Sequence, residues 1–388
     1  MAVTETVKES WGSRLGGSIK GMLAGLAMFV AGFPVLFCNE GRSVKTAKAL
    51  DEGEGACVSV ESPAAVDHDL DGRLVHMTGK ADTKDVLTDD TFGISVVALR
   101  LERNVEMYQW VEESHTTEKK NLGGSVTKTT TYTYSKEWRD EAVDSSDFKE
   151  PGHDNPGVME FRSEKMYAGS ATFGAFRLNG RQIERVGQVC EYAFPSGFTC
   201  NVERVQMHGR AILVPNAETR KNALNDRDVA SQPRIGDMRV TFGVVYPHEI
   251  SIVAKQYGDT FVGYTAKNGK KIDLLSDGVK DAAEMFASAR SANSFLTWIL
   301  RLAGFLLMFL GLGAVLKPLS VLADVLPILG DIVGFGTGLV AGLAALACSL
   351  ATIAAAWLFY RPLLACALFA IAGFAAWALF RKTGKAAK

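Results

Sequence analysis

Residues 357–380 read WLFYRPLLACALFAIAGFAAWALF, an apolar run broken once, by Arg361-Pro362. From Ile332 to Phe380 the only charged residue is Arg361. About 20 apolar residues match the hydrocarbon core of a bilayer, so this stretch is long enough to cross twice. Proline has no N–H and disfavours helix in the residue before it, so one helix should end and another begin at Pro362. Arg361 then sits among headgroups, where its guanidinium finds phosphate and water, and not in lipid, where a charge costs several kcal/mol. The pair reads as the tip of a helical hairpin joining spans over 334–360 and 363–380. The competing picture is one long helix kinked at Pro362.

Two further apolar segments complete the membrane part. IKGMLAGLAMFVAGFPVLFC, residues 19–38, is preceded by Lys8 and Arg14 and lacks a small-x-small cleavage site, which predicts an uncleaved anchor. FLTWILRLAGFLLMFLGLGAVL, residues 295–316, carries Trp298 and Arg301 near one end as interfacial anchors. Between them and the terminal hairpin, KPLSVLADVLPILGD is short and punctuated by Pro318, Pro327 and Gly330, so residues 317–333 are expected to lie in the interface with Asp324 and Asp331 facing water.

The chain as a whole carries a net charge of −1, an average that hides segregation. Residues 1–38 and 291–388 are net basic, so the acidic excess falls on 39–290, which excludes nucleic acid as an expected partner. Four spans put both termini on one side, and the tail 381–388, with Arg381, Lys382, Lys385 and Lys388, favours the cytoplasm. The expected layout is a cytoplasmic segment 1–18, a periplasmic or lumenal domain 39–290, a cytoplasmic interfacial loop 317–333 and a cytoplasmic tail. Arg42, Lys45 and Lys48, just after the first span, argue weakly the other way.

The central segment reads as mostly β, rich in Val, Ile, Thr and aromatics with period-two alternation. Its clearest unit is VEMYQWVEESHTTEKK, NLGG and SVTKTTTYTYSKEW, a long hairpin turning at Gly123-Gly124. SDGVKDAAEMFASARSANS predicts a juxtamembrane amphipathic helix capped by Ser276 or Asp277. The fold class is thus an α+β membrane protein: four transmembrane helices, with a large mostly-β domain inserted between the first two.

Chemistry-bearing patterns are sparse. The six histidines occur singly, without the i, i+4 spacing of a helical zinc site, and no phosphate-binding or nucleophile-elbow motif occurs. No catalytic residue, cofactor or metal site is expected, and the protein is not expected to be an enzyme. Cys190 and Cys200 bracket EYAFPSGFT, whose Pro195 and Gly197 favour a turn; a disulfide and two free thiols are equally consistent with that spacing. Glu40 and Arg42 lie just outside the first span, poised to pair with each other, with lipid headgroups or with the neighbourhood of Arg361, or simply to be solvated. In VEMYQWVEE, alternation places Glu106, Tyr108 and Trp110 on one face, a partner surface if exposed and core if buried, with Trp138 and Arg139 opposite across the hairpin.

Several of these stretches together resemble the LUMA family, transmembrane protein 43. They are FCNEGRSVKTAKAL, DGRLVHMTG, NVEMYQWVEE, YTYSKEWRD, GHDNP, IGDMRVTFG and WLFYRPL, spread along nearly the whole chain. The resemblance implies a four-span protein with a large lumenal or periplasmic domain, self-association into a homo-oligomer, and a role as a scaffold organising other membrane proteins, with membrane lipids as its surroundings. The alternative is an oligomeric channel-like or lipid-handling protein. Ala- and Gly-rich spans, short termini and the absence of Asn-x-Ser/Thr acceptors suggest a bacterial member. The expected location is the cell inner membrane if bacterial, and the endoplasmic reticulum or inner nuclear membrane if eukaryotic.

Overall fold

A computed structural model describes residues 3–221 and 227–362. Among them lie three helices long and apolar enough to cross a membrane: α1 (Trp11–Ala56), α4 (Ala282–Ala323) and α5 (Pro327–Tyr360). Two short helices, α2 (Gly180–Arg185) and α3 (Ala217–Lys221), punctuate the β-rich part. The expected fourth span, 363–380, and the tail 381–388 lie outside the described residues.

The chain divides into two compact units. The first comprises residues 3–5, 52–116 and 130–286; the second comprises 6–51, 117–129 and 287 onward. The first unit is built from sheets. In an eight-stranded sheet, Val126–Arg139, Arg100–Lys120, Met238–Val245, Ala211–Val214 and Gln206–His208 lie side by side. Its buried face, with Leu101, Val105, Met107, Ile212, Val240 and Phe242, packs with Phe92 and Ile94 into one core. A seven-stranded sheet pairs His248–Tyr257 with Leu74–Asp82 over eight residue positions. Through Thr260–Val262, Phe176–Leu178 and Ala171–Phe173 the pairing path returns to Leu74–Asp82 and closes on itself, around Val75, Phe173, Phe176, Ile252 and Phe261. Fully buried aromatics of this size each remove about 150–250 Å² from water, which is what holds such short strands together.

The second unit is a helix bundle. Gly25 and Gly32 of α1 sit against Gly311 and Gly304 of α4; a Cβ on Gly25 would meet Ala314 and the Gly311 carbonyl, and one on Gly304 would meet Leu36. Small residues at this seven-residue spacing let two helix backbones approach closely where lipid offers no hydrophobic drive. Leu36, Met308 and Ala345, one from each helix, form the dry centre.

Several expected boundaries are corrected. Residues 1–18 are not a tail: Val3–Glu9 is a strand and α1 begins at Trp11. The span 19–38 is the middle of α1, which runs through Pro34 and on to Ala56 because Val44, Ala49 and Leu50 supply a buried stripe among good helix formers. The juxtamembrane helix and second span are one helix. It starts at Ala282 because Gly278 has φ +77° and residues up to Asp277 are strand, and it is capped by Asp281, whose Oδ1 accepts from Glu284 N at 2.7 Å. Residues 317–333 are not one loop, and Asp324, expected to face water, is 1% exposed. α4 continues past Pro318 to Ala323 and α5 starts at Pro327, since a proline interrupts only one intrahelical bond and helices in lipid accommodate it.

The hairpin tip, assigned with 39–290 to the outside, donates from Gly123 N to Val325 O at 3.0 Å, and Gly124 O accepts from Arg14 at 2.6 Å. Arg14 and Val325 belong to segments assigned to the cytoplasm. The tip thus packs with the start of α1 and the α4–α5 turn, a contact that counting spans could not register.

Candidate functional site: two polar belts on the helix bundle

The polar side chains of the second unit gather at two levels. At the first, Glu40 of α1 is 1% exposed and takes both Arg301 Nε at 2.6 Å and Arg301 Nη2 at 2.9 Å from α4, while Trp357 Nε1 of α5 donates to it at 2.9 Å. One carboxylate thus ties three helices. A bidentate guanidinium fork is the geometry in which a buried ion pair best offsets its desolvation. Trp298 lies under the same guanidinium, 4.7 Å from ring centre to Arg301 Cζ, with its outer surface exposed. Arg42 does not join Glu40; it donates to Asn39 and Thr297 side chains and to Asn293, and Asn39 donates to the Thr297 carbonyl. Arg361 is the C-cap of α5, its N–H returning to Trp357 O at 2.7 Å, with Pro362 next in the chain.

At the second level Asp324, 1% exposed, lies in the short turn between α4 and α5. It accepts from Arg14 Nη2 at 2.5 Å and from Lys120 Nζ at 2.7 Å; Lys120 also reaches exposed Asp331 at 2.8 Å. Trp11 Nε1 donates to Val321 O at 2.9 Å. Gly124 has φ +79°, and any Cβ there would run into the Trp11 ring, so both backbone and space demand glycine. Burial pushes the Asp324 carboxyl up, but hydrogen bonds from Lys120 and Arg14 outweigh it and hold the group below its ordinary value. Burial pulls Lys120 down, and its bonds to Asp324 and Asp331 leave it raised.

The spacing of the belts is set by helix geometry. At about 1.5 Å per residue, Arg14 to Glu40 on α1 and Asp331 to Trp357 on α5 are each about 39 Å, and Arg301 to Asp324 on α4 is about 35 Å. A bilayer has about 30 Å of hydrocarbon and 40–45 Å with its headgroups, so both belts fall at headgroup depth when the bundle spans it.

In the first unit, Met107 and Gln109 face the core, and Glu106, Tyr108 and Trp110 lie half-buried on the opposite face. Glu106 pairs with Arg239 at 2.7 Å, and Arg239 caps the Trp138 ring, which packs 5.2 Å from Tyr108. Trp110 meets His153 edge-on at 4.4 Å, His153 stacks on Tyr134 at 4.1 Å, and Asn155 exchanges hydrogen bonds with the Trp110 backbone. Arg139 pairs with its neighbour Glu137. Much of this aromatic face is therefore covered by the chain's own loop. Cys190, paired in register with Val244, and Cys200 are both free thiols, so the candidate disulfide is absent.

Sequence reasoning missed Asp324 with Lys120 as a buried pair, Trp357 as a ligand of Glu40, and Arg239. The one available signal was Glu40 and Arg301 each standing at a span edge, where an ionisable group needs a partner.

Apolar helices bounded by two polar belts, in a chain that also holds a sheet-rich unit, define an integral membrane protein of more than one span. A family model described as Transmembrane protein 43 matches residues 107–362. The chain is 34% identical to Transmembrane protein 43 of Rattus norvegicus over 381 residues, 95% of this chain and 92% of that protein. It is 35% identical to the Homo sapiens protein over 361 residues, covering 90% and 87%. The Transmembrane protein 43 homolog of Drosophila melanogaster is 32% identical over 380 residues, covering 95% and 94%. No solved structure matches the chain. The chain belongs to the transmembrane protein 43 family. These relatives are animal proteins, so a bacterial origin draws no support from them.

Proposed function

We propose that this protein is a non-enzymatic membrane scaffold that self-associates and organises other membrane proteins, whose identity the reading leaves open. The observation that carries it is the outer face of α5. Among the described residues nothing lies within 4 Å of where a Cβ would stand on Gly336 or Gly338, and exposed Phe335, Leu339 and Leu343 flank them. Small residues beside large apolar ones form the surface on which helices associate in lipid. Gly342, by contrast, already packs toward Phe309 inside the bundle. In a eukaryotic host the location that goes with this reading is the endoplasmic reticulum or inner nuclear membrane.

The test is the native mass of the full chain in several mild detergents and in nanodiscs. An oligomer that Gly336→Leu with Gly338→Leu reduces to monomer supports the reading. Monomer throughout for the unaltered chain counts against it.

A second reading is an oligomer enclosing a polar or lipid pathway. It is favoured by the Thr- and Lys-bearing hairpin tip 117–129, which belongs to the same unit as the apolar helices and would bring polar strand into a ring of copies. Ion or lipid flux across proteoliposomes separates it from the scaffold.

A further inference from the structure

Beside the second belt lies a half-open cavity of about 280 Å³, room for about nine waters. Glu9, Glu118, Lys128 and Lys317 line its polar side, and Gly17 and Gly21 of α1 form its floor. Lys128 bridges the carboxylates, 2.9 Å from Glu9 and 3.5 Å from Glu118. Arg14, also on the wall, is engaged by Asp324 and the Gly124 carbonyl. Lys317 is different: its side chain is exposed and has no hydrogen-bond or ion-pair partner among the described residues. Next to the cavity, Leu23 and Leu26 of α1 and Leu310 of α4 present exposed apolar surface.

We propose that this cavity is a binding site for the headgroup of an ethanolamine-type phospholipid. The lipid phosphate sits on Lys317, its primary ammonium on the free oxygens of Glu9 and Glu118, and its acyl chains follow the leucine surface of α1 and α4. Three observations converge on that chemistry. The belt lies at headgroup depth by the length of the helices that carry it. Its wall offers a free cation and two carboxylates that share one lysine, Lys128, which leaves one negative charge for an ammonium beside one positive charge for a phosphate and so suits a zwitterion. Among the described residues no aromatic ring lines the cavity, so it lacks the cage that recognises quaternary ammonium, whereas a primary ammonium can donate hydrogen bonds to carboxylates. The proposal rests on membrane insertion and not on self-association, so it stands or falls on a different measurement from the scaffold.

Native mass spectrometry of the full chain in mild detergent provides the test, with equal amounts of ethanolamine, choline and glycerol phospholipids of identical acyl chains. The ethanolamine lipid should be retained at least fivefold over the other two. Gly21→Leu places a side chain where, among the described residues, nothing lies within 4 Å of the Cβ position, so it fills the cavity without displacing them and should reduce retention at least fivefold. Glu118→Gln should erase the preference over the glycerol lipid, and exposed Lys317→Gln should lower binding of the ethanolamine lipid. Should Gly21→Leu fail to fold, the two surface substitutions decide. Equal retention of the three lipids, or wild-type preference in Glu118→Gln and Lys317→Gln, overturns the assignment. Displacement of the lipid by an equal concentration of free phosphoethanolamine would show a soluble ligand and overturn the lipid.

Discussion

The two belts of the helix bundle solve the same problem with different material. At the Glu40 level every partner comes from a long helix: Glu40 from α1, Arg301 and Thr297 from α4, Trp357 from α5. At the Asp324 level the helices supply Arg14 and Asp324, but Lys120 and the Gly123-Gly124 turn come from a β-hairpin more than a hundred residues away from either. The first belt is a lock among helices; the second fastens a strand pair to them. The first is closed with a carboxylate at 1% exposure. The second has an equally buried carboxylate but an open rim, with Asp331 71% exposed and Lys317 without a partner among the described residues. Sealing favours a structural task, and the open rim is where a ligand can enter.

The largest effect should follow from breaking the sealed belt. Glu40→Ala leaves Arg301 without its fork partner and Trp357 Nε1 without an acceptor. A buried charge deprived of its partner costs about 3–5 kcal/mol. Thermal unfolding in detergent should show that loss, and Arg301→Ala should match it, with the double substitution Glu40→Leu/Arg301→Leu recovering part of the stability because no unpaired charge remains. Full stability in Glu40→Ala would remove the distinction between the belts.

How far this arrangement is legible in the sequence differs between them. The apolar runs, the hairpin turn at Gly123-Gly124 and the helix end at Arg361 follow from local composition and turn chemistry. Glu40 and Arg301 stand out as charges at span edges, and only their mutual pairing needs the structure. Nothing local marks Lys120 as the partner of Asp324, because that contact joins distant segments with no shared period. One proline misled in the opposite direction: Pro318, read as a break, lies inside a helix whose neighbouring turns supply enough bonds to carry the interruption. The extension of α1 past Asn39 was written in Val44, Ala49 and Leu50, but the charges between them masked the stripe.

A middle-sized effect is expected at Asp324. Asp324→Ala removes two charge-assisted bonds and should cost about 2–3 kcal/mol. The same contact carries a pH signature. Because the folded carboxyl is held below the ordinary 3.8, its stabilisation is fully present above that value and is lost as pH falls through the folded value. Lys120 is raised above 10.5, so its share is fully present below 10.5 and is lost only as pH rises through the higher folded value. Stability measured against pH should therefore be flat for this belt near neutrality and fall below pH 3.8, and Asp324→Asn should flatten the acid limb. An unchanged acid limb in that variant would place the titrating group elsewhere.

The smallest effect belongs to Asp331, which meets the same lysine as Asp324 at nearly the same distance, 2.8 Å against 2.7 Å. Distance alone would rank the two equally. Exposure does not: the Asp331 side chain is 71% exposed and the Asp324 side chain 1%. Water already solvates the first carboxylate when the pair is broken, and salt screens what remains, so an exposed pair contributes about 0–1 kcal/mol. Asp331→Asn should thus shift unfolding by less than 1 kcal/mol, and the shift should vanish at high ionic strength, while the cost of Asp324→Ala persists there. If the two substitutions proved equal, and equally sensitive to salt, the second belt would be a solvated charge cluster and the hairpin tip would be held by its backbone contacts alone.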